Sequence, residues 1–354
     1  MIPFLKFSVQ DLEAYTVPQE GFPIKLNQNE SPFDVRSEIK QEIWQRFQQD
    51  EWFRYPNEEP SDLLEALSIY SGHPREGILI GNGSNELIQA SMIGALNPGD
   101  GLLLIRPGFS VYPRLAKIFN CEVFEVFLNK NFEFDEKQIL ATLQEKSVQM
   151  LLIDSPNNPT GAFLDIRVVK NILENFEGLF VLDEAYFEFS CETARDLIAA
   201  YPNLVILRTL SKGFGLAGLR LGYMLGQPDV IAELKKAKLP FSVNRFSQVA
   251  AAILFKHSEI IQENTELIRR ERKRLFEEMT NLQGIHVYPS RANFILFETI
   301  EKPVQDIFNG LKEQGILIRD VSHYQKLEKA LRVTIGKPEE NDQFLEALVK
   351  TLAT

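Results

Sequence analysis

Cysteine is nearly absent: Cys121 and Cys191 are the two in 354 residues, and they stand 70 positions apart. That count excludes a disulfide framework and the paired spacing of a zinc site. Histidine is also sparse, and His73, His257, His286 and His323 match no metal-ligand pattern. Positive charge is in deficit: 38 Lys and Arg against 49 Asp and Glu give a net charge of −11 and a pI near 5.1. Nucleic acid and anionic membrane surfaces are therefore not expected as partners. No apolar run reaches 18 residues, and the opening MIPFLKFSVQDLEAY lacks a basic segment leading into an apolar one. The expectation is a soluble cytoplasmic protein.

What is present is ordinary globular material, 44% hydrophobic and 25% charged, in a chain longer than one core usually organises. Between residues 78 and 226 seven short apolar runs alternate with amphipathic stretches: ILIGN (78–82), GLLLIRP (101–107), EVFEVFL (122–128), MLLIDSP (150–156), LFVLDEAY (179–186), LVILRTLS (204–211) and GYMLG (222–226). Near-continuous apolar strands are expected when helices cover both faces of a sheet. Stretches such as SNELIQASMIGAL and IRVVKNILENF are long enough for the crossovers. This predicts an α/β domain with a mostly parallel sheet.

After residue 227 the pattern changes. Residues 246–282 read as one or two long helices, followed by strand-like GIHVYPS, ANFILFET, ILIRD and LRVTIG between helices. This is a smaller α+β domain. The first 48 residues, with the helix-like VRSEIKQEIWQRF, are too few to fold alone and should pack on the rest. The basic run RRERKR (269–274) is flanked by Glu266, Glu271, Glu277 and Glu278, which reads as a solvated, salt-bridged helix face.

Chemistry concentrates where strands end, the place where open α/β sheets bind ligands. GNGSNE (81–86) opens a helix, and its glycines would let the N–H groups of Ser84 and Asn85 approach an anion. It completes neither G-x-G-x-x-G nor the P-loop pattern, and alone it is no more than a Gly-rich turn. SPNNPTG (155–161) is a rigid turn by composition; in DEAY (183–186) a carboxylate and a phenol project past a buried sheet. TLSKGFGLAGLRLGY (209–223) is composed like a buried turn yet carries Lys212 and Arg220. A lone ammonium taken out of water costs several kcal/mol unless a partner or a chemical bond offsets it. Such a lysine either snorkels to the surface or reacts.

A lysine, a carboxylate, an amide, a phenol and a phosphate cradle at one set of strand ends match what pyridoxal 5′-phosphate requires. Here the chain resembles the fold-type I pyridoxal-phosphate enzymes, and within them the histidinol-phosphate aminotransferases. The resemblance runs from LNQNESP through RYP, GNGSNE, SPNNPTG, DEAY and TLSKGFGLAGLRLGY to LRVTIG, in order and over nearly the whole chain. It implies a seven-stranded large domain over residues 50–245, with residues 1–49 and 246–354 forming an N-terminal arm and the small domain.

The resemblance also implies roles. Lys212 would bond to the cofactor aldehyde and later move the substrate's Cα proton. Asp183 would pair with the ring nitrogen, Asn158 and Tyr186 with the phenolic oxygen, and Phe109 would stack on the ring. Ser84, Asn85, Ser211 and Arg220 would hold the phosphate, with Tyr55 reaching across from the partner of a homodimer. Arg332 would bind a substrate carboxylate, Arg319 and Tyr15 a substrate phosphate, and Asn29 would lie near the substrate. Gly108 departs from the family, where threonine, serine or alanine is commoner.

The implied reaction converts histidinol phosphate and 2-oxoglutarate to imidazole acetol phosphate and glutamate, a step of histidine biosynthesis. An aromatic amino-acid aminotransferase would share every cofactor residue, and a threonine-phosphate decarboxylase would use the same scaffold. A ligand-sensing regulator of this fold would need an added DNA-binding segment, for which the chain has neither spare N-terminal length nor basic charge.

Overall fold

The computed structural model describes Ile2, residues 4–14 and residues 21–353. Within the N-terminal arm, strand β1 (Ile24–Lys25) is followed by an irregular passage to the helix Ser37–Phe47. The seven apolar runs then form the seven strands of one sheet. They are β2 (Ile78–Gly81), β3 (Gly101–Arg106), β4 (Glu122–Phe127), β5 (Val148–Asp154), β6 (Leu179–Asp183), β7 (Leu204–Thr209) and β8 (Gly222–Leu225).

Their order is β2-β8-β7-β6-β5-β3-β4, and β8 alone in the sheet runs against its neighbours. The reason is the short link from β7. Its residues include a single 3-10 turn, Ala217–Leu219, and a parallel return needs a longer crossover. From β3 the chain steps outward to β4 and then returns to β5 on the other side of β3. That reversal makes the C-terminal ends of β3 and β5 the switch point at which such sheets bind ligands.

Alternate strand residues feed two different cores. Leu102, Leu104, Met150 and Leu152 pack with Leu87, Ile88 and Met92 of the helix Ser84–Ala95. Leu103, Ile105, Leu151 and Ile153 pack on the other face, where Val169 and Ile172 lie. Ile39 and Ile43 of the arm helix, and residues 249–255 of the helix Arg245–Lys256, join this second core.

The predicted long helical stretch breaks at His257 into Arg245–Lys256 and Ser258–Thr280. Along the second helix the basic run pairs Arg269 with Glu266, and Arg274 with Glu271, Glu278 and Asp342. The small sheet contains β9 (Ile285–Val287), β10 (Phe294–Thr299), β12 (Arg319–Asp320) and β13 (Ala330–Thr334), in the antiparallel order β12-β13-β10-β9. The remaining strand, β11 (Ile316–Leu317), pairs in parallel with β1. The arm thus leans on the small domain: Leu26 accepts at its carbonyl from the Thr334 N–H at 2.9 Å. Among the described residues no helix is long and apolar enough to cross a membrane.

Candidate active site

A cavity of about 420 Å³ opens at the C-terminal strand ends, between the large sheet, the small domain and arm residues 27–30. All the site residues expected from the sequence line it, except Tyr55 and Tyr15. Tyr15 lies outside the described residues. Tyr55 is 81% exposed, stacked on Phe241 at 4.7 Å, and lines a separate groove of about 1440 Å³.

Most of the cavity residues are delivered by strand ends. After β2 the chain turns at Gly83, whose φ of +75° suits glycine, into the helix that starts at Ser84. A Cβ on Gly83 would sit 2.5 Å from Arg220 Nη2, and one on Gly222 would sit 2.5 Å from the Ser84 nitrogen. The two bare backbones let Arg220 and the first amides of the helix share one small volume. Arg220 is held there by donating to Ser211 Oγ at 3.2 Å and to the Ala217 carbonyl at 3.1 Å. Free amides at a helix start with a guanidinium beside them make an anion site.

After β3 come Gly108 and Phe109. A Cβ on Gly108 would lie 2.6 Å from the Ile105 carbonyl, so this backbone excludes the threonine, serine or alanine commoner at the position. Phe109 meets Tyr112 edge to face at 5.4 Å, and the Tyr112 hydroxyl donates to Asp183 Oδ2 at 2.8 Å. Asp183 Oδ1 accepts from the Ala185 N–H at 3.0 Å. Burial nevertheless pushes the Asp183 carboxyl up to about 6, against those two hydrogen bonds.

Asp154 ends β5 directly beside Asp183 on β6. It accepts from the Asn158 N–H at 2.7 Å and from Asn157 Nδ2 at 2.9 Å, which holds the SPNNPTG turn in place. Burial pushes it up to about 7, and the neighbouring Asp183 charge adds to the rise. Asn158 Oδ1 accepts from Arg332 Nη1, which leaves the Asn158 amide hydrogens for the cavity. A second Arg332 nitrogen donates to the Asn27 carbonyl at 2.8 Å, and the guanidinium lies over Phe294 at 5.1 Å.

Arg319 and Arg332 are cross-strand partners on β12 and β13. Like charges directly opposite one another are destabilising, and an anion between them removes the penalty. Lys212 follows β7 and donates from Nζ to the Gln28 carbonyl at 2.9 Å. It keeps part of its surface open to the cavity, yet burial pushes its ammonium down to about 7, with the Arg332 charge adding to the fall. Tyr186 is buried, 6.0 Å from Lys212 Nζ at its ring, and pushed up to about 12 by burial. Glu184 of DEAY turns away instead and pairs with the buried Arg208 at 2.9 Å.

Tyr112, Asp154 and the Gln28 carbonyl were not anticipated. Tyr112 had a signal, since it stands three residues after Phe109 at a helix start and so shares its side. Asp154 had another, as the charged residue that closes the apolar run MLLI. The Gln28 carbonyl had none.

The fold and the site define a class: a two-domain α/β protein whose half-buried lysine and buried carboxylate share a cavity at the sheet's switch point. The chain belongs to the aminotransferase class I and II family, whose model matches residues 23–348. It is 38% identical to a histidinol-phosphate aminotransferase of Chlorobium phaeovibrioides over 98% of this chain and 96% of that one. It is 36% identical to the histidinol-phosphate aminotransferase of Prosthecochloris aestuarii, over 96% of each. Among solved structures it resembles the histidinol-phosphate aminotransferase of Clostridium acetobutylicum, with a TM-score of 0.86 and 25% identity over 94% of this chain and 100% of that one. It shares the fold of the Sinorhizobium meliloti enzyme of the same name, solved in complex with pyridoxal 5′-phosphate. That likeness has a TM-score of 0.90 and 23% identity, over 100% of this chain and 98% of that one.

Proposed function

We propose that the chain is a pyridoxal-phosphate-dependent aminotransferase that transfers the amino group of histidinol phosphate to 2-oxoglutarate, as a step of histidine biosynthesis. The observation that carries the reading is Lys212, an amine pushed down to about 7 in the same cavity as the buried Asp183 carboxylate. The names of its 36–38% identical relatives support the substrate.

The residues fit the cofactor. Ser84, Asn85, Ser211 and Arg220 would take the phosphate in a cradle that a Cβ at Gly83 or Gly222 would fill. Asp183, oriented by Tyr112, would keep the ring nitrogen protonated, and Phe109 would pack against the ring. Asn158 and Tyr186 would meet the phenolic oxygen. Bound there, the cofactor supplies an electron sink for negative charge at the substrate carbon.

Because about half of Lys212 is neutral at pH 7, where an ordinary lysine is almost wholly charged, its Nζ can act as nucleophile and can accept a proton from the substrate carbon. Arg332, fixed by Asn158 and the Asn27 carbonyl, would bind the carboxylate of glutamate or 2-oxoglutarate. Arg319, its cross-strand partner, would take the phosphate of histidinol phosphate, with Tyr15 adding a hydroxyl. Tyr55, on the exposed groove, would reach the partner's phosphate site in a homodimer.

The test is a set of kcat/KM values for histidinol phosphate, phenylalanine and tyrosine with wild type and Arg319→Ala. Losing one charge-assisted hydrogen bond of about 1.5–3 kcal/mol should weaken histidinol phosphate roughly 10- to 150-fold. Phenylalanine and tyrosine should change little. A wild type preferring either aromatic amine overturns the substrate and leaves the cofactor reading intact.

A further inference from the structure

Asn29 of LNQNESP has so far only a place beside the substrate. Its side chain is buried, its φ is +55°, and it joins three parts of the molecule. Its N–H donates to Thr334 Oγ1 on β13 at 3.0 Å, and its carbonyl accepts from Asn293 Nδ2 at 3.1 Å. Its Nδ2 donates to the Tyr186 hydroxyl oxygen at 2.8 Å, beyond β6.

The orientation of the Asn29 amide follows from its two contacts with Thr334. An N–H can only donate, so Thr334 Oγ1 is an acceptor toward Asn29 N. Thr334 then gives its own hydrogen to Asn29 Oδ1 at 3.2 Å. With Oδ1 accepting, the other end of the amide is the NH₂, and the contact to Tyr186 is a donation to the phenol oxygen. Tyr186 spends a lone pair on Asn29, and its single hydrogen is left to point elsewhere.

We propose that Asn29 is a positioning residue, which turns the Tyr186 hydroxyl into a hydrogen-bond donor aimed into the cavity. The inference rests on the reading above, in which Tyr186 meets the cofactor's phenolic oxygen. A donation to the phenol oxygen also makes its O–H a stronger donor, since chains of hydrogen bonds polarise one another. The charged and titratable groups facing Tyr186 are Arg332 from β13, Asp183 from β6, Asp154 from β5 and Lys212 after β7.

The test is the pH midpoint at which the absorbance of the lysine–cofactor linkage changes in the holoenzyme. A donor to the phenolic oxygen stabilises its negative charge and weakens its hold on the linkage proton, which lowers the midpoint. Asn29→Gly keeps the left-handed backbone and deletes the amide. It should raise the midpoint by about half to one pH unit, the worth of one hydrogen bond. Tyr186→Phe should raise it further, and adding Asn29→Gly to Tyr186→Phe should change nothing more.

An unchanged midpoint in Asn29→Gly overturns the proposal, as does an equal rise in the Tyr186→Phe background. Should the glycine variant not fold, Thr334→Val gives the same reading. It frees the amide to flip and should raise the midpoint, and an unchanged value overturns the proposal. A wild type with no such absorbance overturns the cofactor reading, and this proposal with it.

Discussion

Replacing Lys212 with methionine keeps much of the side chain's length and removes its charge. In the cofactor-free protein the ammonium is pushed from an ordinary 10.5 down to about 7. The sign follows from linkage. A depressed amine favours folding only above its ordinary pKa, and the protein loses stability as pH falls from there through about 7. Below pH 7 the buried charge costs about 5 kcal/mol, at about 1.36 kcal/mol per pH unit. Methionine removes that cost but leaves the Gln28 carbonyl, now 2.9 Å from Nζ, without its donor. The orphaned acceptor takes back about 1–3 kcal/mol. The net expectation at pH 6 is a methionine variant about 2–4 kcal/mol more stable than wild type. The advantage should shrink steadily above pH 7 and vanish or reverse by about pH 10. Urea unfolding of both cofactor-free proteins at pH 6, 7.5 and 9 measures it, and contributions from the carboxylates cancel in the difference. A difference independent of pH, or one that grows toward pH 9, refutes the burial of this charge.

The carboxylates behave oppositely. Asp183 and Asp154 rise from 3.8 to about 6 and about 7, so the stability they contribute is full below pH 3.8 and lost as pH climbs through 6 and 7. Asp183→Asn should flatten the lower part of that decline in denaturant midpoints, and an unaltered slope contradicts it. Gly83→Ala should weaken cofactor binding at least ~10-fold in equilibrium dialysis, because its Cβ meets Arg220 Nη2 at 2.5 Å and its φ is +75°. Unchanged binding removes the phosphate cradle. Sedimentation of dilute holoenzyme should give a dimer, and a fully active monomer excludes a site shared through Tyr55.

The strands were legible because both sheet faces are covered, so each of the seven reads as an unbroken apolar run. Their C-terminal ends announced Asp183, Lys212 and Asn158 for the same reason: a polar residue at or just past the end of such a run faces the ligand crevice. Strand order was not legible, since it depends on which crossover passes over which face. The reversal of β8 could have been read from the missing helix between Thr209 and Gly222. ILIRD reads as one strand but splits around Ile318 into β11, paired with the arm, and β12, paired with β13. That split brings Arg319 opposite Arg332, a long-range pairing without local sequence cue. Asn29 was visible only as part of a motif, because its partners Tyr186, Asn293 and Thr334 are more than 150 residues away.

The covalent attachment of the cofactor to Lys212 is the most direct test. The purified holoenzyme is reduced with borohydride, digested, and the adduct located by mass spectrometry. A stable pyridoxyl adduct on Lys212 is expected, with loss of the linkage absorbance in the wild type and no such absorbance in Lys212→Ala. An adduct on any other lysine, or its persistence in Lys212→Ala, contradicts this attachment.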